Sequence, residues 1–152
     1  MTKSSETFMK MALLEAERAF ERGEVPVGCV IVAAETGAVL ACAGNRTEEL
    51  DDPTAHAELL AIRQAAQQAG SARLVGCDLY VTLEPCAMCA TAISFARIRR
   101  VYFGAYDPKM GGVEHGPAIF HQPTCHHSPE VYGGLFETAS GEMLKTFFRQ
   151  KR

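Results

Sequence analysis

The sequence predicts an α/β protein in which helices cover a mixed β-sheet. Short apolar runs alternate with longer amphipathic segments after residue 50, which is the pattern of strands and helices that pack together. Before residue 50, Val27–Ala34 and Val39–Ala43 have the pattern of two strands joined by the turn-like Glu35-Thr36-Gly37. The chain has 152 residues, of which 47% are hydrophobic. That is enough for one well-buried core, and we expect a single domain over residues 1–152.

Local signals define the other elements in order. Helix periodicity runs from about Glu6 to Arg22, and Gly23 stops it. The segment Asp52-Pro53-Thr54 offers capping groups for a helix that runs to about Ala69 and ends at Gly70. The remaining predicted elements are strands at Leu79–Leu83, Val101–Ala105 and Glu130–Tyr132, helices from Cys86 to about Ala96 and from about Ser140 to Arg149, and a loop rich in Gly, Pro and His from Asp107 to about Pro129.

Composition excludes several protein classes. The longest apolar run, Val27 to Ala34, is too short to cross a bilayer as a helix. The N-terminus alternates apolar and charged residues, so it has no signal-peptide core. We therefore expect a soluble, cytoplasmic protein that does not associate with a membrane. The six cysteines then indicate metal or redox chemistry, at Cys86-x-x-Cys89, better than a disulfide framework.

Charge is uneven along the chain. The net charge of −3 does not by itself indicate a nucleic-acid-binding protein. The segment from Gly141 to Arg152 carries Lys145, Arg149, Lys151 and Arg152 against Glu142, which gives 4 − 1 = +3. The chain thus ends in a basic tail on a mildly acidic body.

Two short segments, each at the start of a predicted helix, carry the ligand types of a zinc site. Cys86 and Cys89 are three residues apart, so they lie on one helical face and can share one ion. The helix dipole favours thiolates at this position. His56 adds an imidazole, and three protein ligands leave a fourth position for water, which is typical of a catalytic zinc site. Zinc lowers the pKa of such a water to about 7.

Glu58 is the candidate proton carrier. Residues two apart in a regular helix are about 200° apart around its axis, so His56 and Glu58 converge only if the metal lies over the start of the helix. A carboxylate there can accept a proton from water, protonate a ring nitrogen and then protonate a departing amine. These transfers are the ones that hydrolytic deamination of an aromatic amine needs.

Other interpretations remain open for the separate motifs. His56 alone is more often a core histidine, and Glu58 alone is an ordinary first-turn acid. A strand followed by Cys86-x-x-Cys89 and a helix is also the pattern of a thioredoxin-like redox protein. A structural zinc module is a non-enzymatic alternative, but no fourth ligand has finger-like spacing. Together, His56-Ala57-Glu58 and Pro85-Cys86-Ala87-Met88-Cys89 match the zinc-deaminase signature.

The chain resembles the bacterial TadA-type tRNA adenosine deaminases nearly from end to end. The zinc core is common to all cytidine deaminase-like proteins, so the flanking blocks carry the finer resemblance. These blocks are Val25–Gly28, Gly44–Arg46, Asp52–Glu58, Leu79–Cys86, Ala96–Ile98, Phe103–Ala105, Asp107–Lys109 and Phe147–Arg149.

This resemblance implies a three-layer α/β/α sandwich of the cytidine deaminase type, with a mixed five-stranded sheet and one Zn²⁺ per chain. It implies a homodimer that converts adenosine at the first anticodon position of tRNA to inosine. Asn45 matches the base-contacting asparagine of the family, and Asp107 and Lys109 lie in a loop that lines the nucleotide pocket. The end of the last helix, with Phe147, Phe148 and Arg149, is expected to bind the anticodon stem-loop. A free-base deaminase of the same fold, such as guanine deaminase, is the main alternative.

The sequence departs from the family pattern at three places. Gly44 stands where tryptophan often precedes the asparagine, and Cys29 stands where alanine is common. The segment from His115 to His127 is longer than expected and contains Cys125-His126-His127. Because Cys and His are zinc ligands, a second metal site there is an alternative to a loop that packs locally or faces RNA.

Overall fold

The computed structural model of the protein describes residues 3–151. Within these residues the chain forms four α-helices, five strands and one short 3-10 helix. In chain order they are α1 (Lys3–Glu21), β1 (Gly28–Ala33), β2 (Val39–Gly44), α2 (Ala57–Ala69), β3 (Cys77–Leu83), α3 (Ala87–Phe95), β4 (Arg100–Ala105), the 3-10 helix (Ile119–His121), β5 (Glu130–Tyr132) and α4 (Glu137–Gln150). None of the described helices is long and apolar enough to cross a membrane.

The five strands form one mixed sheet in the order β2-β1-β3-β4-β5. Strand β1 pairs antiparallel with β2 and β3, whereas β3, β4 and β5 run parallel. The carboxyl ends of parallel strands meet at one edge of a sheet, where the loops that follow them lie side by side. The predicted mixed five-stranded sheet is confirmed.

Helices cover both faces of the sheet, which confirms the three-layer sandwich. Alternate residues of a strand point to opposite faces. On one face, Leu79 and Val81 of β3 share a buried cluster with alanines of α2 and with Ile93 of α3. On the other face, Tyr80 shares a cluster with Met9 of α1. The latter face also packs against α4, which contacts β3 and β4.

Four aromatic rings pack one against the next along the α1 face of the sheet. We call this set the aromatic row, and it consists of Phe8, Tyr80, Tyr102 and Tyr132. Tyr80 and Tyr102 are stacked with ring centroids 4.5 Å apart and planes only 4° from parallel. Burial raises the pKa of Tyr80 to about 12, because the charged phenolate is poorly solvated there.

All four helices begin at residues other than those predicted: α1 begins at Lys3 and not near Glu6, and α3 begins one residue after Cys86. Helix α2 begins at Ala57, because Asp52 does not cap it: its Oδ1 instead accepts hydrogen bonds from the amide and hydroxyl of Thr54 in a turn. Helix α4 begins at Glu137 and not near Ser140. The preceding Phe136 has φ 58°, a left-handed conformation that sets the direction of the helix and that sequence periodicity does not reveal.

The long segment between β4 and β5 packs locally. Phe120 is buried against the core, and its carbonyl oxygen accepts a hydrogen bond from Ser128 Oγ at 2.7 Å. His127 Nε2 donates to the carbonyl oxygen of Ile98 at 2.6 Å, and Ser94 Oγ donates to the carbonyl oxygen of His127 at 2.7 Å. Its side chains and carbonyls therefore bind this segment to α3 and to the turn between α3 and β4.

Candidate active site and metal group

His56, Cys86 and Cys89 bring their ligand atoms together, and we call them the metal group. His56 Nδ1 lies 3.7 Å from Cys86 Sγ and 3.5 Å from Cys89 Sγ, and all three ligand atoms lie within 4.8 Å of one another. A tetrahedral zinc ion with Zn–S of about 2.3 Å and Zn–N of about 2.0 Å requires N···S distances of about 3.5 Å. One nitrogen and two sulfurs at these distances fit zinc.

The backbone explains how residues 30 positions apart meet. His56 immediately precedes α2 and Cys86 immediately precedes α3, and both have extended backbone angles, with ψ of 152° and 174°. Each side chain therefore extends beyond the first turn of its helix instead of lying along the helix side. The expectation that the metal lies over the start of the helix agrees with this placement. Two helix N-termini favour anionic ligands at this point.

The two thiols of the metal group influence each other strongly. A hydrogen bond from Cys89, together with the nearby His56 ring, lowers the pKa of Cys86 to about 4. The same hydrogen bond and burial raise the pKa of Cys89. The pKa of His56 is also raised, mainly by its interaction with Cys86. Two adjacent thiolates repel, so a cation between them is what allows both sulfurs to lose their protons.

Glu58 lies beside the metal group in the first turn of α2 and is 4% exposed. Burial is the main cause that raises its pKa to about 7, and Cys86 contributes in the same direction. His56 lies outside the helix, so Glu58 is free to approach the metal group without the opposed geometry that a regular helix would impose. A carboxyl group in this position can both accept and donate a proton near neutral pH.

Asn45 lies in a loop that is bonded to the segment before the metal group. It is 7% exposed and follows the last residue of β2. Its carbonyl oxygen accepts a hydrogen bond from Arg22 at 3.1 Å. The next amide, that of Arg46, donates to the carbonyl oxygen of Ala55, which directly precedes His56.

Asp107 and Lys109 lie in a second loop beside the metal group. Asp107 Oδ1 accepts hydrogen bonds from the amides of Lys109 and Met110, and the Lys109 side chain is exposed. Farther along, Gly111 bridges to Cys86 and the Gly112 amide donates to the carbonyl oxygen of Pro85 at 2.8 Å. One loop is thus bonded to the segment before α2 and the other to the segment before α3, and these two segments carry the metal group.

Two adjacent phenylalanines near the end of α4 have different surroundings, which the sequence alone does not reveal. Phe147 is buried and packs edge to face on Phe20 of α1, with ring centroids 5.6 Å apart. Phe148 is 49% exposed, and Arg149 is also exposed. Phe147, which the resemblance assigned to the RNA-binding surface, therefore packs in the core, and Phe148 is the ring of this pair that lies at the surface.

Sequence reasoning did not single out two buried acids near the site, Glu24 and Glu84. Each follows directly on an ended element, Glu24 after the helix stop at Gly23 and Glu84 after β3. A carboxylate in such a place meets backbone amides that have no partner within a helix or strand. An acidic residue directly after the predicted end of a helix or strand is therefore the sequence signal by which Glu24 and Glu84 could have been found.

The structure does not bring Cys125, His126 and His127 together as a set of three metal ligands. His127 and Cys125 use their polar atoms within the chain, since the Cys125 thiol donates to the carbonyl oxygen of His127. Among residues 3–151, the metal group is the one set of three His, Cys, Asp or Glu side chains whose ligand atoms converge.

Comparisons with known proteins agree with this geometry. Residues 2–105 match the family described as the cytidine and deoxycytidylate deaminase zinc-binding region. The chain is 61% identical over 145 residues to the tRNA-specific adenosine deaminase of Agrobacterium fabrum (strain C58 / ATCC 33970), which covers 95% of this chain and 94% of that protein. A structure solved in studies of A-to-I editing by tRNA:A34 deaminases at the wobble position of transfer RNA superposes with a TM-score of 0.88, at 61% identity, over 91% of this chain and 99% of that one.

A more distant likeness concerns the fold alone. The guanine deaminase from Nitrosomonas europaea superposes with a TM-score of 0.81 over 93% of this chain and 83% of that one, at 20% sequence identity. The adenosine deaminase relationship extends over nearly the whole chain at three times that identity. This chain therefore belongs to the zinc-binding deaminases and, within them, to the tRNA-specific adenosine deaminase family.

Proposed function

We propose that this chain converts adenosine at the first, wobble position of a tRNA anticodon to inosine. Water replaces the amine of the base, and ammonia leaves. The convergence of His56, Cys86 and Cys89 beside the buried Glu58 carries the reaction type. The nearly full-length relationship to tRNA-specific adenosine deaminases supports the substrate.

The residues of the site have distinct roles in this proposal. His56, Cys86 and Cys89 hold one zinc ion per chain, which supplies Lewis-acid activation of water when bound. Glu58 accepts a proton from the attacking water and delivers it to the ring nitrogen of adenine. It then takes the second proton of that water, from the hydroxyl newly bonded to the ring carbon, and transfers it to the amine; the C–N bond breaks, the carbonyl of inosine forms and ammonia departs. Burial of Glu58 keeps bulk water from competing for these protons.

The loops around the metal group form the nucleotide pocket in this proposal. Asn45 contacts the base from one side, and its buried position and fixed carbonyl support this role. Asp107 shapes the loop on the other side, because its side-chain Oδ1 accepts hydrogen bonds from the amides of Lys109 and Met110. Lys109 is exposed on that loop and is placed to meet phosphate.

The substrate is tested by measuring ammonia release from four substrates in parallel. They are an anticodon stem-loop with adenosine at the first position, free adenosine, guanine and cytidine. We expect turnover of the stem-loop and little activity on the other three, because contacts to flanking nucleotides position the flipped base. Rapid turnover of guanine with an inert stem-loop would assign the chain to the free-base deaminases and leave the metal assignments intact.

The exposed end of α4 is proposed to bind the anticodon stem-loop. Phe148 offers an exposed ring, and Arg149 and Lys151 add positive charge beside it. Phe147 anchors this end of α4 on Phe20, two residues before the Arg22 that holds Asn45. Aromatic stacking and phosphate contacts at such a surface hold single-stranded loops.

We expect Phe148→Ala to weaken RNA binding and Phe147→Ala to destabilise the fold. Phe148→Ala should weaken stem-loop binding by about 1–3 kcal/mol, the usual loss for one stacked base. Its free energy of unfolding should fall by only about 1 kcal/mol, since the ring is half-exposed and loses one edge-to-face contact, with Phe147. Phe147→Ala should instead destabilise the fold by about 3–5 kcal/mol, because it removes a buried ring. Chemical denaturation and RNA titration measure both quantities.

A chain truncated after Phe148 loses the basic residues of this surface but keeps the exposed ring, so it tests the contribution of charge alone. Loss of Arg149, Lys151 and Arg152 should raise the dissociation constant for the stem-loop and flatten its dependence on salt. Unchanged binding at several salt concentrations would show that the basic residues after Phe148 do not contact the RNA.

We also propose a cytoplasmic homodimer. Its support is an exposed apolar patch on the outer side of α2 and α3, with a shallow cavity of about 460 Å³ among Leu59, Met88 and Phe95. Phe95 is 73% exposed, an unusual exposure for a large apolar ring unless a partner covers it. Sedimentation velocity of wild type and Phe95→Glu tests this, and two monomeric proteins would refute it.

A further inference from the structure

Two buried carboxylates lie next to the active site without belonging to the metal group or to the proton-transfer step. Glu24 and Glu84 are each 2% exposed. A buried carboxylate is costly unless hydrogen bonds compensate for its lost hydration. The partners of these two side chains therefore indicate what the chain uses them for.

Glu84 binds both ends of the loop that contains residues 107–115. Its Oε1 accepts hydrogen bonds from the Asp107 amide at 3.0 Å and from His115 Nδ1 at 2.8 Å. Its Oε2 accepts from three consecutive amides, those of Val113, Glu114 and His115, at 3.2, 2.9 and 3.2 Å. Successive amides that converge on one oxygen form an anion-binding nest. One side chain thereby fixes the whole loop.

The same carboxylate fills the interior of this loop. A Cβ atom at Gly111 would lie 2.4 Å from Glu84 Oε2, so only glycine leaves room for the carboxylate. Gly111 also bridges to Cys86. The loop that Glu84 organises therefore lies directly on the segment that carries a metal ligand.

Glu24 likewise binds backbone amides, in the loop that follows Asn45. Its Oε1 accepts from the Glu48 amide at 3.2 Å, and its Oε2 accepts from the Glu49 amide at 2.8 Å. Thr47 Oγ1 lies 3.5 Å from Oε1. This loop is in turn bonded through Arg46 to the residue before His56.

We propose that Glu24 and Glu84 are positioning residues for the nucleotide, each acting through the loop that it holds on one side of the metal group. The proposal rests on the proposed function, since it assigns the two loops to the nucleotide pocket. Neither carboxylate touches the substrate. Each determines where the loop residues are when the base arrives, and small displacements of such residues cost much of the rate.

Glu84→Gln and Glu24→Gln are the informative variants. They keep side-chain size, but the new NH₂ group faces at least one backbone N–H whichever way the amide is turned. Glu84→Asp keeps the charge on a shorter side chain and tests for rescue. Glu130→Gln is the matched control, because Glu130 pairs with Arg100 at the opposite end of β4 and is exposed.

Hydrogen exchange and zinc analysis test the proposal without reference to activity. In Glu84→Gln the amides of residues 107–115 should exchange faster than in wild type, while the amides of α2 and α3 and the zinc content stay unchanged. In Glu24→Gln the same should hold for residues 46–50. Loss of zinc, or unchanged exchange in these loops, would overturn the assignment.

Steady-state kinetics on the stem-loop give the second readout. We expect kcat/KM to fall roughly ten- to hundredfold in each variant, through KM as well as kcat. Glu84→Asp should recover part of this loss, and Glu130→Gln should match wild type. A change smaller than threefold, or a loss equal to the unfolded fraction, would overturn the proposal. An inert wild type would instead refute the proposed substrate, and the exchange data would still decide the role of the carboxylates.

Discussion

Glu58→Ala is expected to retain zinc and fold but to lose deamination. Glu58 lies beside the metal group, yet the three ligand atoms converge without it. Loss of a general acid–base group costs about a hundredfold to ten-thousandfold in kcat. Glu58→Gln should lose as much, because it preserves side-chain size and removes only the proton-carrying function. Zinc per chain, thermal unfolding and inosine formation on the stem-loop are measured on the same preparations.

Glu6→Ala is the matched control for this experiment. Glu6 is also an acidic residue in the first turn of a helix, α1, but it is exposed. Its replacement should leave all three measurements at the wild-type level. Loss of zinc from Glu58→Ala would make Glu58 a ligand or a support of the metal, and the proton-carrier role would then be wrong.

Replacing a member of the metal group should abolish both metal and activity. Cys89→Ala removes a sulfur that is completely buried and that lies 3.5 Å from His56 Nδ1. His56→Ala and Cys86→Ala remove the other ligand atoms. Zinc should fall from about one per chain to a small fraction, because two ligands rarely retain the ion. Activity should fall with it.

Stability should follow the metal in the same variants. An ion held by the metal group would join the segments before α2 and α3, which are 30 residues apart, and would thereby stabilise the folded chain. A chelator should therefore lower the melting temperature of wild type but not that of Cys89→Ala. Cys42→Ala is the control, since Cys42 lies in β2 outside the metal group. A Cys89→Ala protein with wild-type zinc would contradict the ligand assignment.

The sequence predicted the elements and the ligand types well, because both leave local patterns. The spacing of Cys86 and Cys89 and the residues before His56 predicted a metal site at the start of two helices, and the three ligand atoms do converge there. Sequence periodicity does not specify which strands run parallel or in what order they pair. Those features depend on contacts between distant segments, such as β1 lying between β2 and β3.

Features set by a single backbone angle or a distant contact escaped prediction. The left-handed Phe136 moves the start of α4, and the Asp52–Thr54 turn delays α2 to Ala57. The burial of Phe147 depends on Phe20, which lies 127 residues earlier in the chain. The roles of Asn45 and Lys109 toward RNA remain predictions, since they concern a partner molecule.

The aromatic row gives the protein an internal optical reporter. The chain has no tryptophan and four tyrosines, and Tyr80, Tyr102 and Tyr132 belong to the row. Near-ultraviolet circular dichroism and intrinsic fluorescence will therefore come mainly from stacked rings on the sheet face opposite α2 and α3. These signals follow assembly of the sheet and are separated from events at the metal group. A variant that loosens only the loop after Asn45 will keep the tyrosine spectrum of the wild type, whereas one that loosens residues 107–115 will change only the contribution of Tyr106, which packs on Phe103 and His115.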